Sequence, residues 1–323
     1  MTGQALTFNQ MRRDAFLDEH VYDEQNTYFS KDNSRRYTHL TDENKDIFHR
    51  SSISWSLFLN KVEHALLEYS GGANIEAVQL LVDVAFQDLN RHKDQFTFEI
   101  IKYWEPDGYQ FLLWLVSLAV LTGNKDALLT IARMTGKNPQ GGDDKCIVQL
   151  YTRVGLQGLP RQDSLVFEKP YSDFYDAIKG DGVSPTKSER QAALNAYLKG
   201  WYKGMKNCYW HNRHKGRHAT HFGYWSLESG AATILFDLDD SEYRKSLYYP
   251  KDWVDFAREQ NFGALFSHEK LPFHHIALPG DEAPVTAEWV SNVSNEALKA
   301  NMGERLSGDP VNKAGDAAIW ISI

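Results

Sequence analysis

FLLWLVSLAVL, Phe111 to Leu121, is the longest apolar run in the chain. A bilayer span needs about 20 such residues, so this run is about half of what a membrane requires. Pro106-Asp107 before it supplies a helix start, and Gly123-Asn124 after it supplies a stop. A helix with no polar face has to be surrounded by other helices, so the run predicts a buried central helix in a protein with a sizeable core.

The segments on either side follow the same period. NIEAVQLLVDVAFQDL (Asn74–Leu89) precedes it, and a shorter helix over Lys125–Met134, stopped by Gly136, follows it. Further upstream, Ile47, Phe48, Trp55, Phe58, Leu59, Val62 and Leu66 share one face of a helix that starts at Thr41–Asn44 and ends at Gly71-Gly72. Phe8–Phe29 predicts a partly exposed helix, followed by the polar stretch SKDNSRRYTHLTDENKD. Asp143–Val154 predicts another helix.

Gly155, Gly158, Pro160, Pro170, Gly180, Gly182 and Pro185 then change the texture around one helical piece at Tyr171–Ile178, and a domain junction is expected near Leu159. Beyond it, Leu194, Leu198, Trp201, Met205 and Cys208 form one apolar stripe. Thr220–Leu238 predicts a further helix, and Pro250 opens another through Trp253, Phe256 and Ala257. The fold class expected is therefore all-α, with two packed helical domains at 1–158 and 159–260. An irregular tail over 261–323 is expected to carry one helix at 287–300.

Composition narrows the function. The chain has 323 residues with 35 basic and 43 acidic side chains, a net charge of −8. Nucleic-acid binding needs a cationic face, so nucleic acid is not expected as the main ligand, whereas a basic protein partner suits this charge. Cys146 and Cys208 form no CxxC pair, and MTGQALTFNQMRRD carries no signal-peptide pattern. Together they predict a cytoplasmic protein with two buried thiols and no membrane association.

No phosphate loop, GxGxxG, HExxH or GxSxG is present. SLESG (Ser226–Gly230) falls within a helical pattern rather than on a nucleophile elbow. Glu43-Asn44-Lys45 and Glu99–Lys102 put Glu near Lys, but without the paired strands of a metal-dependent nuclease. His211, His214, His218 and His221 are spaced three, four and three apart, which on one helix would share a face and could collect a metal. Against this, Gly216 interrupts the run, Arg213, Lys215 and Arg217 are interleaved, and no carboxylate or thiolate lies within it. A cationic helix end is the simpler reading, with a metal-dependent enzyme or a nucleic-acid-binding adaptor as alternatives.

Glu228 lies four after Tyr224 and three after Trp225, among large rings. A carboxylate there is desolvated and needs a cation or donors. A structural ion pair with His or Arg of the preceding helix is expected, and a general base is the alternative. Asp237, Asp239, Asp240 and Glu242 form an acidic turn, read either as a capped solvated loop or as an exposed anionic knob for a basic partner.

WYKGMKNCYW (Trp201–Trp210) and HFGYWSLESGAATILFDLDDSEYRKSLYYPKDWVDFAR (His221–Arg258) resemble the C-terminal domain of the PoNi immunity family. The resemblance rests on Gly223-Tyr224-Trp225 with Glu228 and Ala231, on Leu238-Asp239-Asp240, and on Tyr248-Tyr249-Pro250 with Asp252. Met11–Asp14 and the helices after it look similar to that family's N-terminal domain. The tail after Gln260 departs from the pattern.

The resemblance implies an α-helical protein that binds a PoNe-type DNase toxin of interbacterial competition, commonly delivered by type VI secretion. It implies a tight complex that blocks the toxin, with no catalytic residue and no cofactor. Trp201, Tyr224, Trp225, Glu228, Tyr249, Pro250 and Asp252 are then expected to hold the fold. Asp237, Asp239, Asp240 and Glu242 are expected to face the toxin.

Overall fold

The computed structural model describes residues 6–31, 33–137, 144–159, 164–180, 184–216, 219–308 and 318–323. The chain forms two compact units, Met1–His92 with Trp210–Trp225, and Lys93–Tyr209 with Ser226–Ile323.

The first unit holds α1 (Phe8–Met11), α2 (Glu19–Phe29), α3 (Ser34–Thr41), α4 (Ile47–Gly71) and the start of α5 (Ile75–Gln95). In α4, Leu57, Phe58, Val62, Ala65, Leu66 and Tyr69 are buried, which is the face the spacing predicts. The helix begins one turn later than expected. Asp46 is its N-cap and accepts from the Phe48 and His49 amides at 2.9 and 3.1 Å. It ends at Gly72, where φ is +98° and a Cβ would stand 2.2 Å from the Met11 carbonyl oxygen. Only glycine meets both requirements.

The helix expected over Phe8–Phe29 is broken between α1 and α2. Asp14, buried there, turns its carboxylate to the Phe16 and Leu17 amides at 2.6 and 3.1 Å. The amides of Arg13 and Asp14 donate to the Ser70 carbonyl instead of to a helix of their own. Part of the polar stretch after α2 is itself helical, as α3.

The second unit is built on α6 (Pro106–Leu121), buried at every position from Tyr109 to Leu121. Around it lie α7 (Ala127–Met134), α8 (Lys145–Val154), α9 (Glu168–Ile178), α10 (Lys187–Gly204), α11 (Leu227–Leu235) and α12 (Lys251–Glu259). α11 packs along α6, and α9 against α10. Cys146 and Cys208 are both buried and unbridged.

The chain is mostly helical but not all-α. A five-stranded mixed sheet joins β1 (Leu156–Gln157), β2 (His274–Ala277), β3 (Ala287–Ser291), β4 (Ala297–Ala300) and β5 (Trp320–Ser322) in the order β1-β2-β5-β3-β4. β1 and β2 are parallel, and the remaining pairs are antiparallel.

The helix expected at 287–300 is the hairpin of β3 and β4. Its Ala, Glu, Leu and Lys residues favour helix, but Trp289 sits opposite Ser322 of β5 and packs with Trp320, Ala277, Ala300 and Leu306. Burial of that tryptophan against a distant strand outweighs local propensity. Asn292 fixes the end of β3, its Oδ1 accepting from the Ile319 amide at 2.7 Å and its Nδ2 donating to the Thr135 carbonyl at 3.2 Å. The tail is therefore structured in the parts described.

Candidate functional site

α11 is shorter than the Thr220–Leu238 pattern predicts. It begins after Ser226, so the SLESG stretch is a loop-to-helix junction rather than helix interior. This puts Glu228 in the first turn of α11, where the positive end of the helix dipole favours a carboxylate.

Glu228 is fully buried. Its Oε1 accepts from Tyr197 Oη at 2.7 Å, Trp201 Nε1 at 2.7 Å and Ser226 Oγ at 2.9 Å, and its Oε2 from Gln110 Nε2 at 3.3 Å. Tyr171 continues the network, its hydroxyl donating to Gln110 Oε1 at 2.8 Å. The ion pair with His or Arg expected from sequence is replaced by neutral donors from α6, α10 and the α11 cap. Burial raises the Glu228 carboxyl above its usual range, against the hydrogen bonds from Tyr197, its own backbone, Ser226 and Trp201. The arrangement ties α6, α10 and α11 together.

Asp144 does the same at the start of α8. It accepts from the Cys146, Ile147 and Val166 amides at 2.8, 3.0 and 2.6 Å and from Tyr109 Oη at 3.0 Å. Burial raises its carboxyl too. Sequence reading missed Asp144, although an Asp directly before an apolar helical pattern is the usual N-cap signal.

The acidic turn divides into exposed and buried members. Asp237 and Glu242 are exposed, and the Asp237 carboxylate accepts from Lys187 Nζ at 2.6 Å. Asp239 is exposed and caps its own turn through the Ser241 amide at 3.0 Å, which lowers its carboxyl below the usual range. Asp240 does not belong to an exposed knob. It is buried and accepts from Arg244 Nη1 at 3.0 Å, Arg258 Nη1 at 3.1 Å and Tyr249 Oη at 3.0 Å. Arg244 also grips Asp255 with both terminal nitrogens, which raises the guanidinium above its usual range. Residues with short spacings in sequence thus face opposite ways, because burying Tyr243 and Tyr249 turns Asp240 inward.

The histidine run is not helical in its described residues, 211–216 and 219–221. Trp210–Gly216 passes through turns, with Asn212 at φ +64° and Gly216 at φ +105°. His214 and His221 nevertheless meet within the first unit, their ring centroids 5.9 Å apart. His221 Nε2 lies 3.3 Å from Asp14 Oδ2, and His214 Nδ1 lies 2.7 Å from Tyr224 Oη. Burial lowers the His214 imidazole, and the neighbouring His221 and Lys215 add to this. The Asp14 carboxyl is raised by burial but lowered on balance by His221 and the Tyr224 and Phe16 amides. Arg213 Nη1 stands 3.9 Å from Glu63, and His218 lies outside the described residues. Among the described residues no three His, Cys, Asp or Glu side chains are placed to hold one metal ion.

Of the remaining predicted residues, Trp201, Tyr249 and Pro250 are buried in the second unit, and Asp252 is half-buried in the first turn of α12. Tyr224 and Trp225 are buried in the first unit. There, Trp225 Nε1 and the Phe222 carbonyl both bond Ser70 Oγ at 2.8 Å. Gly223, at φ +124°, passes so close to Ser70 Oγ that a Cβ would stand 2.0 Å from it.

Residues 12–133 match the family described as PoNe immunity protein (PoNi), N-terminal, and residues 142–253 match PoNe immunity proteins (PoNi), C-terminal. The chain belongs to the PoNi family. The crystal structure of protein PA2201 from Pseudomonas aeruginosa is similar to this PoNi chain with a TM-score of 0.53 at 16% identity, covering 77% of this chain and 92% of that one. At that identity the likeness concerns the fold. No curated protein matches the chain. No helix among the described residues of this family member is long and apolar enough to cross a membrane.

Proposed function

We propose that this chain binds a cognate PoNe-type DNase toxin in the cytoplasm and neutralises it by forming a tight complex over the active site, performing no chemistry itself. The matches to both PoNi domains carry the reading. The net charge of −8 supports it, since a nuclease that grips phosphates presents cations an acidic protein can meet. The buried carboxylates also support it, because Glu228, Asp144 and Asp240 are committed to structural partners.

Asp237, Asp239 and Glu242 are the exposed carboxylates of the acidic turn and the part of it open to a basic toxin surface. Asp240 serves by holding the turn in place. Delivery of the toxin by type VI secretion between competing bacteria is the setting this function fits.

Protection assays test the reading. Cells making the toxin encoded beside this gene should survive when the chain is co-expressed. The D237N/D239N/E242Q variant should associate with the toxin about tenfold more slowly at low salt, the rim-charge effect, and the gap should close as salt rises. Death of the cells despite abundant folded chain would refute the function. An unchanged association rate would remove the acidic turn from the interface.

A further inference from the structure

A cavity of about 370 Å³ opens in the second unit among α8, α10 and the end of α11, away from the Glu228 network. Arg153 of α8 and Arg190 of α10 border it, and both guanidiniums stand on the same ring. Their central carbons lie 4.7 and 4.1 Å from the centroid of Phe236. Arg190 is only 6% exposed.

Each arginine uses one terminal nitrogen on a carbonyl, Arg153 on Leu235 and Arg190 on Ala177 at 2.6 Å. A guanidinium has five N–H groups, so several donors of each remain, and the buried Arg153 Nε has no hydrogen-bond partner among the described residues. No carboxylate among the described residues pairs with either arginine or lines the cavity. Burial lowers both guanidiniums from their usual range, and at Arg190 the positive charge of Arg153 adds to it.

Arginines withdrawn from water are ordinarily paired, and the half-buried Arg244 of this unit is, with Asp240 and Asp255. Two like charges held together on one ring, with unused donors and an open cavity beside them, call for an anion. Two guanidiniums ask for two negative charges. A phosphate group carries close to two at neutral pH and presents oxygens in several directions, whereas a carboxylate carries one charge and offers one edge. Ser184, Gln149 and His268 line the same cavity and add polar groups for the remaining oxygens. The volume lies in the range that admits a small molecule beyond the phosphate itself.

We infer that the cavity bordered by Arg153, Arg190 and Phe236 is a binding site for a dianionic phosphate group, either inorganic phosphate or the phosphate of a small monoester.

Calorimetric titration of the full chain with inorganic phosphate, phenyl phosphate and acetate at one ionic strength tests this. Phosphate should bind at least about tenfold more tightly than acetate, the difference expected between a dianion and a monoanion at two guanidiniums. Equal affinity for phosphate and phenyl phosphate would assign the site to the free ion, and tighter binding of phenyl phosphate would assign it to a monoester.

R153Q should weaken phosphate binding about tenfold while the far-ultraviolet circular dichroism and melting cooperativity stay as in the parent. R190K serves as the second variant, with the charge kept and the fork removed, and should weaken binding as well. Indistinguishable heats for phosphate and acetate, or undiminished phosphate binding by folded R153Q, would overturn the site. So would binding of an acidic peptide by a chain that ignores phosphate, since that would make the arginines a protein contact.

Discussion

Glu228 and Asp240 are both buried carboxylates of the second unit, 0% and 4% exposed, yet they are satisfied in opposite ways. Glu228 lies in the core and is met by hydroxyl, indole and amide donors. Asp240 lies under the acidic turn and is met by two arginines that are themselves about a third exposed, 34% and 38%. In the core, bringing in a cation would bury a second charge, so neutral donors cost less. At the edge an arginine keeps its charge in water and needs less compensation. The core site fixes helices and the edge site fixes a loop, so the two should respond differently to substitution, pH and salt.

The largest effect is expected at the core. E228A leaves the Tyr197, Trp201 and Ser226 donors without their acceptor in a dry site and adds a cavity. It should destabilise the fold by roughly 3–5 kcal/mol in urea titrations. D240A should cost less, about 2 kcal/mol, because Arg244 keeps Asp255 and both arginines can rehydrate. Raising the salt should narrow the gap between D240A and the parent but leave the E228A gap unchanged.

A pH series sharpens the contrast. The Glu228 carboxyl is raised in the fold, so its stabilising contribution is complete below the ordinary glutamate range and is lost as pH climbs through the folded value. E228Q has no such loss. Its stability relative to the parent should therefore improve as pH rises from the ordinary glutamate range, and level off once the folded value is passed, read from melting temperatures between pH 4 and pH 8. An unchanged difference across that range would mean Glu228 titrates as it does in the unfolded chain. The smallest effect belongs to the surface of the turn, where D237N and E242Q should each change stability by less than about 0.5 kcal/mol.

The helical framework was legible where burial leaves a local trace. Phe111–Leu121 has no polar face, and α6 is buried on every side. The sheet was not legible, because what makes Ala287–Ala300 a hairpin is β5, about 30 residues further along the chain, and pairing over that distance has no local periodicity. Glu228 could be read as a desolvated carboxylate from its aromatic neighbours in sequence. Which donors would meet it could not, since Tyr197 and Trp201 come from another helix and look like ordinary core residues.

The same limit applied to Asp240, which alternates with exposed acids and differs from them only by what Tyr249 and two arginines do in space. Arg190 left a sign that went unused: it lies four residues before Leu194, on the apolar stripe of α10. A charge on that face indicates a special environment.

Titration of the purified cognate toxin domain with this chain, following cleavage of plasmid DNA, bears most directly on the immunity function. Loss of cleavage at one equivalent of chain, with DNA left intact by the chain alone, is the predicted result. Full nuclease activity in the presence of excess folded chain would contradict it.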